Sequence, residues 1–292
     1  MANRYAYHRA RSVDEACRML AGLPSASILA GGTDLLVDIE SGLRRAEHVV
    51  GIQSISELRE ISRQGNEVRI GACCTASEVE ASDVVRRYLP ELAEMVVVFA
   101  SPQIRNRATV AGNICSAVAC GDFPTFLSAL GSSVDLRTEA GARSVPLGAF
   151  MVGNRQTVRK QQEMVTHVRV PIRAHGAGAA YQKFRRRAAN SLAVASAAAC
   201  VELDGDRCRA ASIVLGAVGA TPIAATRAAQ ALIGTTVDEK AVAAAAEIAR
   251  GEAQPIADIR ASADYRRDLI RVLVARALRQ ALARAVYQAG TP

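Results

Sequence analysis

The chain has 292 residues, half of them hydrophobic, which is enough for a sizeable core in one or two domains. Its net charge of +8 raises nucleic acid as a partner, but only 4% of residues are aromatic, Trp is absent, and no stacking pattern accompanies the densest basic run, Arg185-Arg186-Arg187, so a solvated or subunit-facing surface is the better reading. No apolar run approaches the roughly eighteen residues of a membrane span, and the opening Met1-Ala2-Asn3-Arg4-Tyr5-Ala6-Tyr7-His8-Arg9 lacks the apolar core of a signal peptide, which predicts a cytoplasmic protein without a membrane span.

Ser12-Val13-Asp14-Glu15 predicts a capping box opening a helix with Ala16, Met19 and Leu20 on one face. The short apolar run Ser27-Ile28-Leu29-Ala30 then breaks into Gly31-Gly32, where the backbone can take positive φ and bring its amides close to a ligand. Thr33 and Asp34 stand at a helix N-cap ahead of Leu35, Leu36, Val37 and Ile39, aiming free N–H groups back at the glycines. This is either an anion site suited to phosphate or an ordinary strand-to-helix turn. Strands are expected over residues 49–52 and 68–71, and Thr75-Ala76-Ser77-Glu78 is a second capping box.

About eighty residues beyond the first glycine segment comes another, Thr109-Val110-Ala111-Gly112-Asn113-Ile114-Cys115, followed by Ser116, Gly121 and Asp122 before Phe123-Pro124. Small residues here admit a ligand and Thr, Asn, Ser and Asp can hold it; a tight turn with polar capping is the alternative. Strands follow over 134–137 and 164–170, and Pro171, His175, Gly176 and Gly178 mark a boundary. Downstream, residues 193–203 and 210–218 read as two strands joined by an Asp204-Gly205-Asp206 turn. The alanines of 241–249 reflect helix propensity, and a last helix places Ile270, Val274, Ala277, Leu278, Ala281, Leu282 and Ala285 at helical spacing. The whole reads as α+β, with no doubly wound sheet.

Seven cysteines, Cys17, Cys73, Cys74, Cys115, Cys120, Cys200 and Cys208, match neither a zinc ribbon nor an iron–sulfur run and read as reduced thiols. The histidines His8, His48, His167 and His175 are scattered without an evident partner. No Gly-x-Gly-x-x-Gly sequence is present.

Ala30-Gly31-Gly32-Thr33-Asp34-Leu35, the stretch Pro102-Gln103-Ile104-Arg105-Asn106 leading into Thr109 to Cys115, Lys183-Phe184, and Ala261-Ser262-Ala263-Asp264-Tyr265-Arg266 together resemble the FAD-binding subunit of the xanthine dehydrogenase and carbon monoxide dehydrogenase family of molybdenum hydroxylases. The resemblance runs over essentially the whole chain and leans to the bacterial xanthine dehydrogenase type. It implies a two-part FAD-binding domain of the vanillyl-alcohol oxidase / p-cresol methylhydroxylase type over residues 1–173, with subdomains of about 1–55 and 56–173. A C-terminal domain over 178–292, with a three-stranded antiparallel sheet and a helical bundle, would follow.

The same resemblance implies that Ile28, Leu29, Ala30, Gly31, Gly32, Thr33 and Asp34 line the FAD pyrophosphate and ribityl, and that Thr109, Ala111, Gly112, Asn113, Cys115, Ser116 and Gly121 form the opposite wall. Asp122 would lie on the adenosine or ribityl side, Val165 in a strand packed on FAD, and Lys183 near the flavin or its phosphates. Ala111 replaces a glycine found in many relatives and adds a methyl group beside the cofactor, yet Ala is small enough that binding is expected to survive. Arg105 and Arg107 are offered as phosphate neutralisers. The implied function is electron transfer, with no catalytic side chain or metal ligand in this chain. A [2Fe-2S] iron–sulfur subunit would deliver electrons, a large molybdopterin subunit would hydroxylate the substrate, and NAD, oxygen or a quinone would accept, in a dimer of heterotrimers. The alternatives are a stand-alone flavin oxidoreductase and a flavin-free scaffold.

Overall fold

The computed structural model describes residues 5–187 and 191–289. Residues 1–4 of the opening stretch tested above for a signal peptide lie outside them. The first layer comprises β1 (Ala6–Arg9), α1 (Val13–Gly22), β2 (Ser27–Leu29), α2 (Leu35–Glu40) and β3 (His48–Gly51), with the strands parallel in the order β1-β3-β2. Ser12 caps α1 as expected, accepting from the Glu15 amide, although the Glu15 carboxylate returns to the Arg11 amide instead of that of Ser12. Val13, Ala16, Cys17 and Leu20 form the buried stripe of α1.

The second layer opens with the hairpin β4 (Ile61–Gln64) and β5 (Glu67–Gly71). Six helices follow: α3 (Ala76–Ala81), α4 (Asp83–Tyr88), α5 (Pro90–Val98), α6 (Pro102–Arg105), α7 (Val110–Ser116) and α8 (Asp122–Ala129). Then come β6 (Ser133–Arg137), β7 (Ala142–Pro146), α9 (Leu147–Phe150), β8 (Met151–Gly153), β9 (Gln156–Thr157) and β10 (Met164–Pro171). The antiparallel sheet β4-β5-β10-β6-β7 carries the helices on its apolar face, around the fully buried rings of Phe123, Phe126 and Phe150. Thr75 and Glu78 form the complete capping box that opens α3.

The last layer is β11 (Ala177–Arg185), β12 (Ala193–Asp204), β13 (Arg207–Gly216) and β14 (Ile223–Ala224), followed by α10 (Thr226–Gln230), α11 (Glu239–Glu252) and α12 (Ala263–Ala289). Three long antiparallel strands thus carry a two-residue edge strand. Gly178 lies inside β11, where a Cβ would stand 2.1 Å from the Ala281 carbonyl oxygen. That contact and the alanines of β12 let α12 settle onto the sheet. The other face of the sheet contributes Ala179, Ala198 and Val214 to the core of the second layer. Within α12 the apolar positions expected from the sequence are buried, Leu282 partly so. Near its start the buried Arg266 donates to the Val194 and Ala217 carbonyls, both at 3.0 Å or less, and pairs with Asp258. Among the described residues no helix is long and apolar enough to cross a membrane.

Candidate functional site

A cleft of about 390 Å³ runs between the β2–α2 turn and the helices α6 to α8, with Lys183 and Leu192 of the last layer at one end. Ile28, Ala30, Gly31, Gly32, Thr33 and Asp34 line one side, and Thr109, Gly112, Asn113, Cys115, Ser116, Gly121 and Asp122 line the other. The two glycine segments, far apart in the chain, therefore face each other. Ser116 Oγ donates to the Asp34 carboxylate across the gap.

Three expected residues are not on this surface. Leu29 turns into a small cluster with Ile39, Ala46 and Val49, because side chains alternate along β2 and its neighbours take the cleft side. Val165 is buried in the main core with Val168 and Val170, because an irregularity in the β10–β6 pairing between Val165 and His167 breaks the alternation there. Ala111 also packs into that core with Val110 and Ile114, so its methyl group points away from the cleft and does not crowd it.

The backbone explains why glycine is needed on the first side. A Cβ at Gly31 would stand 2.0 Å from the Arg107 carbonyl oxygen, so the turn is pressed against the α6–α7 connection. Gly32 has φ +81°, a conformation that β-carbons disfavour. The Leu36 amide bonds to the Gly32 carbonyl, while the preceding amides of the first helical turn have no carbonyl one turn back to bond. Asp34 occupies the N-cap position, yet its side chain makes no cap hydrogen bond and is committed to Ser116 instead. Thr109 Oγ1, by contrast, caps α7 by accepting from the Gly112 amide at 3.0 Å.

Each end of the cleft carries charge. At one end Arg155, from the β8–β9 turn, makes a two-pronged pair with Asp38, and Arg44 lies beside them. None of these three was singled out from the sequence, because their convergence is created by tertiary packing and no local motif announces it. At the other end Asp122 accepts from Lys183 Nζ at 2.7 Å and from the Tyr181 hydroxyl. The Lys183 and Asp122 side chains are only 3% and 5% exposed. Burial pushes the Asp122 carboxyl up from its ordinary range against the opposing pull of Lys183, and burial followed by the Asp122 charge pushes the Tyr181 hydroxyl well up. Phe99, Ala100, Ile104, Ala108 and Leu192 supply apolar wall between the polar groups.

Arg105 is a correction: it lies against Glu80 and donates to the Phe99 carbonyl, holding α5 to α6. Arg107 offers its carbonyl to the Gly31 contact, and its residue borders a neighbouring polar pocket. The histidines are also less scattered than expected, since His8 Nε2 and His48 Nδ1 lie 3.1 Å apart across β1 and β3, and His167 lies beside Arg69. Burial pushes the Cys115 thiol in the cleft up to about 11, so it stays protonated at neutral pH. Among the described residues no group of three or more His, Cys, Asp or Glu could hold a metal ion.

These features fit a long anionic dinucleotide. The glycine turn allows close backbone approach, guanidinium groups stand at one end, and the Asn113 Oδ1 atom on the lining is buried without a hydrogen-bond partner. A side-chain catalyst would need a nucleophile or base held ready by a partner. In the cleft, Asp38 is committed to Arg155, Asp122 to Lys183 and Asp34 to Ser116.

Comparison with known proteins agrees with this. The family described as the FAD binding domain in molybdopterin dehydrogenase matches residues 3–173, and that described as the CO dehydrogenase flavoprotein C-terminal domain matches residues 179–281. The carbon monoxide dehydrogenase medium chain of Afipia carboxidovorans is 34% identical over 96% of this chain and 97% of its own length. A putative xanthine dehydrogenase FAD-binding subunit of Escherichia coli is 29% identical over 96% of each chain. The solved carbon monoxide dehydrogenase of Hydrogenophaga pseudoflava superimposes with a TM-score of 0.94 at 35% identity, over 97% of this chain and 99% of the matched one.

Proposed function

The chain belongs to the family of FAD-binding subunits of the molybdenum hydroxylases, and from that premise we propose that its cleft holds one FAD and that it carries electrons from an iron–sulfur subunit to an acceptor. The observation that carries this reading is the meeting of the two glycine segments across one cleft, joined by Ser116 and Asp34.

In this reading the backbone at Gly31, Gly32 and Thr33 receives the pyrophosphate, and Asn113 turns its unpartnered oxygen to a donor on the cofactor. Arg44 and Arg155 add positive charge at one end, and Lys183 and Asp122 hold the other. FAD supplies the junction between one-electron and two-electron transfer. The protein orients it, excludes water with Phe99, Ile104 and Leu192, and sets the charge around it. Substrate hydroxylation belongs to a separate molybdopterin subunit, with NAD, oxygen or a quinone as acceptor and a dimer of heterotrimers as the assembly. The division of the chain near residue 55 and between 173 and 178 is part of the same reading, as is a cytoplasmic location.

The test is the visible spectrum of the mildly purified chain, with identification of any released chromophore and anaerobic addition of NADH. Stoichiometric FAD bleached by NADH is the expected result for a nicotinamide acceptor. FAD indifferent to NADH moves the acceptor to oxygen or a quinone, and a chain that refuses FAD on reconstitution overturns the reading in favour of a scaffold. Turnover of an organic donor without other subunits would instead identify a stand-alone oxidoreductase.

A further inference from the structure

Lys183 lines two cavities at once. Besides the cleft, it borders a second space of about 260 Å³ between α5, β11 and α12, whose walls include Glu91, Glu94, Gln182, Gln280 and Tyr181. Glu94 is exposed at the rim, so water reaches this space from the surface. Between the two cavities stand three polar side chains in hydrogen-bond sequence: Tyr181 Oη donates to Asp122 Oδ1, and Lys183 Nζ donates to Asp122 Oδ2 at 2.7 Å. Tyr181 and Lys183 share a face of β11 because they are two residues apart, while Gln182 points the other way to Gln280 at 2.8 Å.

We propose that Tyr181, Asp122 and Lys183 form a proton inlet from this second cavity to the cofactor cleft. The proposal rests on the cleft holding FAD. Iron–sulfur centres deliver electrons one at a time and bring no protons, whereas complete reduction follows FAD + 2e⁻ + 2H⁺ → FADH₂. Both protons must come from solvent, and the second cavity offers a polar route to the amine that lines the cleft. Lys183 Nζ gives a proton into the cleft; the Tyr181 hydroxyl passes one to the Asp122 carboxylate, which hands a proton on to the neutral amine, and Tyr181 recovers a proton from cavity water. All three groups end as they began, and each cycle moves one proton. Tyr181 touches the cavity and Asp122 but is not on the cleft lining, so its role is to relay and to position.

The charged and titratable neighbours are consistent with a held ammonium at this point. From α5, Glu91 is paired with Arg173 and Glu94 with Arg284 of α12. Arg185 of β11 donates to the Val98 carbonyl, and Cys120 before α8 is kept protonated by burial. Asp122 is therefore the carboxylate in direct contact with Lys183.

The experiment uses the FAD-loaded full chain, reduced anaerobically in a stopped-flow instrument by methyl viologen radical, a one-electron donor that carries no proton. Flavin absorbance is followed in H₂O and D₂O, and bound FAD per chain and the midpoint potential are measured alongside. Tyr181→Phe keeps the ring packed and removes only the relay hydroxyl. It is expected to bleach about a hundredfold more slowly, at the lower edge of general acid–base effects, with a larger D₂O effect than the wild type and unchanged FAD content and potential. Gln182→Leu with Gln280→Leu, which dries the cavity without touching the three relay residues, is expected to slow the same step. Wild-type bleaching of Tyr181→Phe in both solvents, or slowing that only tracks lost FAD, overturns the inlet. A wild-type chain that binds no FAD would instead overturn the reading beneath it.

Discussion

A Cβ on Gly31 would meet a backbone carbonyl that has nowhere to go, that of Arg107, while Gly32 is needed for its φ of +81°. Gly31→Ala and Gly32→Val should therefore both lose FAD, by tenfold or more in affinity, for two separate reasons. Gly31→Ala forces the two sides of the cleft apart, at a cost of about 1–3 kcal/mol in stability. Gly32→Val strains one turn and leaves the rest of the chain folded. Bound FAD per chain and the urea midpoint distinguish these outcomes, and full occupancy in either variant would sink the assignment of this turn to the pyrophosphate. The glycines were legible in the sequence because positive φ and close approach restrict residue type at single positions. Leu29, Ala111 and Val165 lie off the cleft lining because a motif names a stretch, whereas the local backbone decides which of its members face the cleft.

Elements whose ends are marked by chemistry were legible too, as Ser12 and Thr75 show at α1 and α3. The start of β11 was not, since Gly176 and Gly178 read as loop punctuation and the reason for Gly178 is the helix α12 roughly a hundred residues later. Another long-range fastening sits where the chain enters β10. Glu163 takes two hydrogen bonds from Arg143 of β7, at 2.6 and 2.8 Å, and one from the Lys160 amide. The Arg143 guanidinium holds the Glu163 carboxyl down at about 2, against the opposing effect of burial. A carboxyl held lower in the folded protein than in the unfolded chain stabilises the fold above its ordinary value and loses that contribution as pH falls. Glu163→Gln should therefore cost about 2 kcal/mol at neutral pH. Thermal melts across pH should show the gap to wild type closing between about 4.5 and about 2. A gap that stays constant over that window would rule out the ionised pair as its source.

At the scale of the whole molecule, the first layer shares an apolar cluster with Cys73 and Met164 of the second, and exposed or half-exposed polar contacts add to it: Arg137 with Asp14, Arg155 with Asp38 and Gln161 with the Ala26 carbonyl, besides the Ser116–Asp34 bond. A ligand touching both layers should add to these contacts by mass action. FAD at a hundred times its dissociation constant should raise stability by about 2.7 kcal/mol, with hydrogen-exchange protection gained chiefly at α2 and α7. A melting temperature unmoved by FAD would contradict a site shared by the two layers. No local pattern could have shown this arrangement, because it depends on how independently built layers meet. The hydroxyl of Ser116, reaching over to the carboxylate of Asp34, has one more consequence: the two walls cannot part at this point without breaking that bond. If release of a bound cofactor needs the walls to separate, its lifetime should shorten in Ser116→Ala even where its affinity for either wall is unchanged.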